Sequence, residues 1–356
     1  MRVRTSAALL AAALAVAACG SPEGAGDTPQ VAPTTAAPDG YDVAPGPEPE
    51  PEPEPDAEPP VSPPPAPEPA AAYELADGET GPAAKRAAAD LAQGLTTYEP
   101  DESFGEVVAR VTDDPELARR LEAAGRDLHH EGAWSRGEIV YPQLGGLEDD
   151  ASAVITVVRQ QVGHPDGSTT DHTRTLDIRV DLTADGQWRV SELASAGGHP
   201  VPRPDDLSAE AAAVLDDDRI ELPDTARWDI HRGAVDDTLL ALMARIAERT
   251  PYGVVVLETG HSREVFGTDR TSRHAEGRAV DIHRLGDSLV IDDRARGSAT
   301  HELVEWLYEQ PELSEVGSPW ALDGFGGRSF TDELHQDHLH VGVLRPGEKQ
   351  KSAPRT

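Results

Sequence analysis

Two short stretches of this sequence gather histidines and carboxylates at spacings that suit a divalent cation: "TSRHAEGRAVDIH", from Thr271 to His283, and "HQDHLHVGV", from His335 to Val343. In the second, "HLHVGV" is short and apolar between its polar positions, which predicts a strand. Side chains alternate along a strand, so His338, His340 and Gly342 share one face and Leu339, Val341 and Val343 the other. Two imidazoles on one face can serve one site, one as a ligand and the other taking a proton from water at the metal. In the first stretch "RAVDIH" predicts another strand, with Asp281 on the face opposite Val280 and Ile282. His274 sits just upstream on a turn, and the small residues Gly277 and Ala279 between them let the backbone pack closely. One His and one Asp from this half, with one His from the other, make three ligands. Three protein ligands and an open fourth position are what separate catalytic zinc from closed structural zinc.

The run Ser272, His274, Gly277, Ala279 and Asp281 resembles the S-x-H-x-x-G-x-A-x-D pattern of D-alanyl-D-alanine metallopeptidases. "HLH" is similar to the H-x-H of the wider group that holds those enzymes, the lysostaphin-type peptidases and the hedgehog signalling domain. The resemblance covers roughly the last third of the chain. It implies Zn2+ held by His274, Asp281 and His340. Many carboxypeptidases of this family carry Glu three residues before the last ligand as general base; this chain has Asp337 there, one methylene shorter. His338 stands where the H-x-H subgroup has its catalytic histidine, so the resemblance leaves the base open between His338 and Asp337, with a purely orienting role as the plainer reading. Related carboxypeptidases also place an Arg after a strand and before the first metal motif, to bind a carboxylate or polarise the scissile carbonyl. Arg263 is the candidate here, because a guanidinium matches a carboxylate in bidentate geometry; Arg270 and Arg278 are its rivals.

Composition narrows the setting. The chain has 356 residues and a formal charge of −34, enough length for two ordinary domains with tails and too little basic character for a nucleic-acid partner. Its one cysteine, Cys19, rules out a disulfide framework and leaves any metal to His and carboxylates. Residues 1–18 begin with Arg2 and Arg4 and continue in an apolar run ending "VAAC". That is the layout of a secretory leader, and its end resembles the lipobox of bacterial lipoproteins. The implied fate is cleavage before Cys19 and lipidation of its thiol, giving an extracytoplasmic protein tied to the cell membrane by lipid. Residues 19–75, rich in Pro, Ala and Glu and including "PEPEPEPEP", predict a disordered, extended stalk.

The remaining chain reads as α+β. Residues 76–200 predict an accessory domain. "GPAAKRAAADLAQGLTTY" and "DDPELARRLEAAGRDLHH" predict helices, and "GEIVYPQL", "SAVITVVRQQVG", "RTLDIRVDL" and "ADGQWRVSEL" predict a curved antiparallel sheet with a hairpin at Asp185-Gly186. Helices followed by such a sheet resemble the nuclear transport factor 2-like fold. No catalytic set is legible in this domain; Trp134, Tyr141 and Trp188 read as core. Residues 201–223 form a connector with a short helix capped by Ser208. Residues 224–345 predict the metallopeptidase-like domain, an antiparallel sheet with flanking helices. In it "VDDTLLALMARIAERT" and "GSATHELVEWLYEQP" are core-facing helices, with His301 on the surface. The Gly-rich run "GSPWALDGFGGRSFTDELHQ" walls a substrate groove, and Asp332 and His335 orient the metal strand's histidines. Residues 346–356 predict a disordered tail. Taken with the leader, the resemblance implies a zinc peptidase, carboxypeptidase or endopeptidase, acting on peptidoglycan stem peptides. The other readings are a non-catalytic wall-binding or sensory lipoprotein and an amidase with a non-wall substrate.

Overall fold

Three helices open the folded part of this computed structural model, which describes residues 62–324 and 327–351. The leader, Cys19, the stalk up to 61, Phe325 and the last five residues lie outside the described residues. Helix α1 (Pro82–Thr96) starts on a proline and turns Ala84, Ala88, Leu91, Ala92 and Leu95 inward at helical spacing. Helix α2 (Phe104–Val111) is fixed by a full capping box: the Ser103 side chain meets the Glu106 N–H and the Glu106 carboxylate returns to the Ser103 N–H. Helix α3 (Pro115–Ala124) is capped by Asp114, which accepts from the N–H groups of Glu116 and Leu117. The sequence predicts α1 and α3 but passes over α2, although the Ser-x-x-Glu signature was there to read.

Four antiparallel strands follow in sequence order: β1 (Trp134–Leu147), β2 (Ala151–Gly163), β3 (Thr169–Leu182) and β4 (Trp188–Ser195). The β3–β4 hairpin turns at Asp185-Gly186 as predicted, with Gly186 at φ 78°. Two irregularities in β1, at Ile139/Tyr141 and Leu144/Gly146, break its register with β2 and bend the strand. The three helices cover one face of the sheet over a core that includes Leu95, Val108, Leu121, Val154, Val158, Leu176 and Ile178. Strand β2 is buried along nearly its whole length, which explains why "AVITVV" carries apolar side chains toward both faces, with only Thr156 polar, rather than alternating.

The second half begins with α4 (Ala209–Leu215), capped by Ser208 as predicted, and β5 (Ile220–Glu221). Helices α5 (Asp224–His231) and α6 (Asp237–Ala247) lead to β6 (Tyr252–Val256), β7 (Ala279–Leu285) and β8 (Ser288–Leu289). Helix α7 (Ala299–Tyr308), β9 (Leu313–Gly317), β10 (Ser329–Phe330) and β11 (Leu339–Val343) complete it. The sheet order is β10-β9-β11-β7-β6-β5, with β8 beside β7. The antiparallel sheet expected here proves to be mixed. Strands β9, β11, β7 and β6 are antiparallel to their neighbours, while the two-residue edge strands β10 and β5 run parallel to β9 and β6. The chain between β5 and β6 crosses over through α5 and α6, and such a connection returns a strand in parallel.

Both expected tails are shorter than composition suggests. Residues 62–75, assigned by composition to the stalk, lie along the first half: Trp134 Nε1 donates to Pro64 O (2.5 Å), Arg136 Nε to Pro67 O (2.7 Å) and Gln93 Nε2 to Ala70 O (3.0 Å). A proline-rich segment offers carbonyls and few N–H groups, so side-chain donors must do the pairing. In the tail, Glu348 pairs with Arg273 (2.9 Å) and Gln350 donates to Gln310 O (2.8 Å).

The two sheets are joined rather than strung apart. Tyr141, Ile155 and Val157 form one apolar cluster with Val255 and Val256 of β6, and Thr175 Oγ1 donates to Val255 O (2.7 Å) across it. Among the described residues no helix is long and apolar enough to cross a membrane.

Candidate metal centre

Strands β7 and β11 pair so that His340 stands directly opposite Asp281. Opposed residues on one face of an antiparallel pair bring their side chains together, and His340 Nδ1 lies 3.0 Å from Asp281 Oδ1. His274 arrives from a short 3₁₀ turn, His274–Glu276, ended by Gly277 at φ 65°. A side chain at Gly277 would run into the Ala234 carbonyl, so both the left-handed turn and the close approach require glycine. His274 Nε2 lies 3.1 Å from Asp281 Oδ1 and 3.2 Å from His340 Nδ1. The three predicted ligands therefore close a triangle. Its edges are near the roughly 3.3 Å between donors of a tetrahedral zinc site with bonds of about 2.0–2.1 Å.

The donor chemistry fits a cation. His274 Nδ1 faces the Leu257 carbonyl at 2.6 Å. A carbonyl only accepts, so Nδ1 carries a proton and Nε2 is the nitrogen turned to the triangle, the one whose lone pair a cation would take. Asp281 is 1 % exposed and adds a second lone-pair donor at the same point. Burial would raise the Asp281 pKa, but the neighbouring His274 and His338 hold it well below the ordinary carboxylate range. Burial would lower the His340 pKa, but its hydrogen bonds to Asp281 and Glu315 push it up to about 9. The field that draws a proton to this corner also draws a metal ion.

His261, at the exit of β6, has no role that its sequence neighbourhood suggests, yet it stands beside the triangle. Its ring stacks on His274 with centroids 4.2 Å apart, and one donor atom each from His261, His274 and Asp281 lie within 4.8 Å of one another. This buried cluster could hold a metal ion. The His261 Nδ1–H donates to Ser262 O (2.9 Å), and burial, with His274 beside it, pushes its pKa down to about 3. Its imidazole is thus neutral, the form that ligates.

His338 and Asp337 occupy different depths. His338 lines the cavity over the triangle, with Nε2 3.8 Å from Asp281 Oδ2, and its Nδ1–H donates to Asp337 Oδ1 (2.6 Å). Asp337 is fully buried, does not line the cavity, and accepts through Oδ2 from Lys85 and from the Leu144 N–H (3.2 Å). Burial works against its ionised form, but Lys85 and His338 hold the pKa down to about 2. Lys85, on α1, also meets Glu79. Tyr141 is more than the core residue the sequence suggests: its hydroxyl bonds the Glu79 carboxylate and the Asp337 carbonyl.

A cavity of about 440 Å³ opens above these groups. Phe330, Asp332, Leu334 and His335 form one wall, as predicted for the Gly-rich run, and Asp332 Oδ1 accepts from His335 Nδ1 (2.6 Å). Gly317 is bare because the His335 ring lies against its backbone. Arg263 is exposed and stands outside this wall, its carbonyl accepting from the Ser272 N–H. Its rival Arg270 lines the cavity instead. Arg278 is tied to Asp236 (2.5 Å) and to the Leu344 carbonyl. His301, expected on the surface, is buried against Trp320. Lys85 and Gln143 are also absent from the residues the sequence singles out. Lys85 was detectable as the one charge on the alanine stripe Ala84, Ala88, Ala92; Gln143 carried no signal. No family model matches this chain, and no curated protein matches it.

Proposed function

We propose that this chain is a zinc-dependent peptidase that hydrolyses peptidoglycan stem peptides at the cell surface, held there by a lipid on Cys19. The observation that carries the proposal is the buried triangle of His274, Asp281 and His340 at the floor of a cavity, under an imidazole whose far nitrogen is bonded to a buried carboxylate. His274 through Nε2, Asp281 through Oδ1 and His340 through Nδ1 would hold the ion, with His261 as their neighbour. A bound Zn2+ supplies Lewis-acid polarisation of the scissile carbonyl and eases deprotonation of water.

His338 takes the acid–base role. Its Nδ1 proton is committed to Asp337, so Nε2 is the basic atom facing the cavity, able to accept a proton from the attacking water and return it to the leaving amine. Asp337 fixes that tautomer and orientation rather than acting as the base, because both its oxygens are engaged below the cavity floor. Arg270 replaces Arg263 as the guanidinium available to a substrate carboxylate or carbonyl.

The test is metal analysis of the purified protein together with digestion of isolated wall peptides. The full chain is expected to bind one Zn2+, His274→Ala to lose it, and His338→Ala to keep it while hydrolysis falls by about 10²–10⁴. Bound zinc with no cleavage of any wall peptide would leave the non-catalytic wall-binding reading. For the anchor, Cys19→Ala is expected to move the protein from the membrane fraction to the soluble one; retention in the membrane would refute it.

A further inference from the structure

The two carboxylates that govern the site are both gripped from the other sheet. Gln143 lies on β1, yet its Nε2 donates to Asp281 Oδ2 at 2.6 Å. The next residue, Leu144, gives its N–H to Asp337 Oδ2 (3.2 Å). Gln143 is fully buried and lines the cavity, and among the described residues its Oε1 meets no hydrogen-bond partner. Turning the amide over would set Oε1 against Asp281 Oδ2, two acceptors face to face, so the observed orientation is the one Asp281 dictates. A residue present only for packing gains nothing from a buried amide with one orphaned atom. The irregularity between Leu144 and Gly146 falls just past Gln143, and such features re-aim side chains.

We propose that Gln143 is a positioning residue of the metal centre, contributed by the first half of the chain, and that it makes Asp281 a one-oxygen ligand. By occupying Oδ2 it leaves Oδ1, the atom 3.1 Å from His274 Nε2 and 3.0 Å from His340 Nδ1, as the oxygen free to ligate. This keeps a coordination position open and holds the carboxylate plane fixed. The inference rests on the reading of His274, Asp281 and His340 as the ligands, and it makes the helix-and-sheet unit part of the site rather than an accessory to it.

The experiment uses the full chain, with Zn2+ affinity measured by chelator competition and coordination read from the visible spectrum after loading Co2+. Gln143→Met keeps the shape and removes the donor; Gln143→Glu keeps the size and places an acceptor against Asp281. Each is expected to weaken Zn2+ by about 10–100-fold, and Gln143→Met to shift the Co2+ bands toward higher coordination, with thermal melts confirming the fold. If both folded variants bind as tightly as the unmodified chain with unchanged spectra, the inference is overturned and the metal site stands. If the unmodified chain binds neither ion, or His274→Ala binds as well as it does, the ligand assignment fails and this inference falls with it. Should Gln143→Met not fold, the Glu variant decides alone, with the same two outcomes.

Discussion

The histidines of the cavity illustrate how a carbonyl or carboxylate at one ring nitrogen decides what the other can do. His274 is committed through Nδ1 to Leu257, His338 through Nδ1 to Asp337, and His261 through Nδ1 to Ser262. Each therefore offers Nε2 to a ligand or a proton. One buried carboxylate elsewhere lacks such company. Asp177 on β3 is almost wholly buried and bonds Arg179 through Oδ2 (2.6 Å), while among the described residues its Oδ1 meets no partner. Burial outweighs Arg179 and pushes its pKa up to about 6. A folded pKa above the unfolded value of about 3.9 means that the native state binds the extra proton. Stability from this group is therefore full below about pH 4 and is lost as pH rises through 6, a change of about 3 kcal/mol. Asp177→Asn removes the titration, so its stability relative to the unmodified protein should improve by up to that amount between pH 4 and pH 7.5. Urea unfolding at the two pH values checks it; a pH-independent difference would show that Asp177 does not titrate this way.

At the level of strands and turns, the site depends on one register and one turn. The β7–β11 pairing sets His340 against Asp281, and a slip of β11 by one residue would send His340 to the face opposite Asp281. The 3₁₀ turn that delivers His274 closes on Gly277, whose carbonyl also accepts from Asp236 N (2.9 Å). Gly277→Ala should cost at least about 2 kcal/mol, from the positive φ and the clash with Ala234 together. It should also weaken metal binding, because the turn must open to relieve the contact. Thermal melts and zinc titration of that variant measure the two effects, and unchanged values for both would show the turn to be tolerant. The alternation of "HLHVGV" and "RAVDIH" made this arrangement legible, because the two-residue period of a strand assigns each side chain to one face or the other. The parallel edges β5 and β10 were not legible, because two residues carry no period.

For the molecule as a whole, Lys85 ties the two halves together through a buried charge. It is fully buried on α1, between Glu79 and Asp337, 252 positions before the latter. Replacing it by Met leaves two buried carboxylates facing each other without a cation, a loss of about 3–5 kcal/mol. Because Asp337 holds His338, the same change should loosen the imidazole over the cavity. Chemical denaturation of Lys85→Met tests the first expectation, and a loss within about 1 kcal/mol would mean that the carboxylates find other partners.

The sequence by itself determined the local chemistry: which histidines and which aspartate could meet, the Ser208 cap of the connector helix, the hairpin at Asp185-Gly186, and the α+β character of both halves. These follow from periodicity and turn chemistry, which act over a few residues. Only the tertiary structure decided that Lys85, Tyr141 and Gln143 stand beneath the site, that Asp337 faces inward, that Arg270 rather than Arg263 reaches the cavity, and that residues 62–75 lie against the fold. Those outcomes come from packing one sheet on another: Lys85 stands out as a charge on an alanine stripe, but nothing near it names a partner 252 positions away, and Gln143, 138 positions from Asp281, carries no local signal at all.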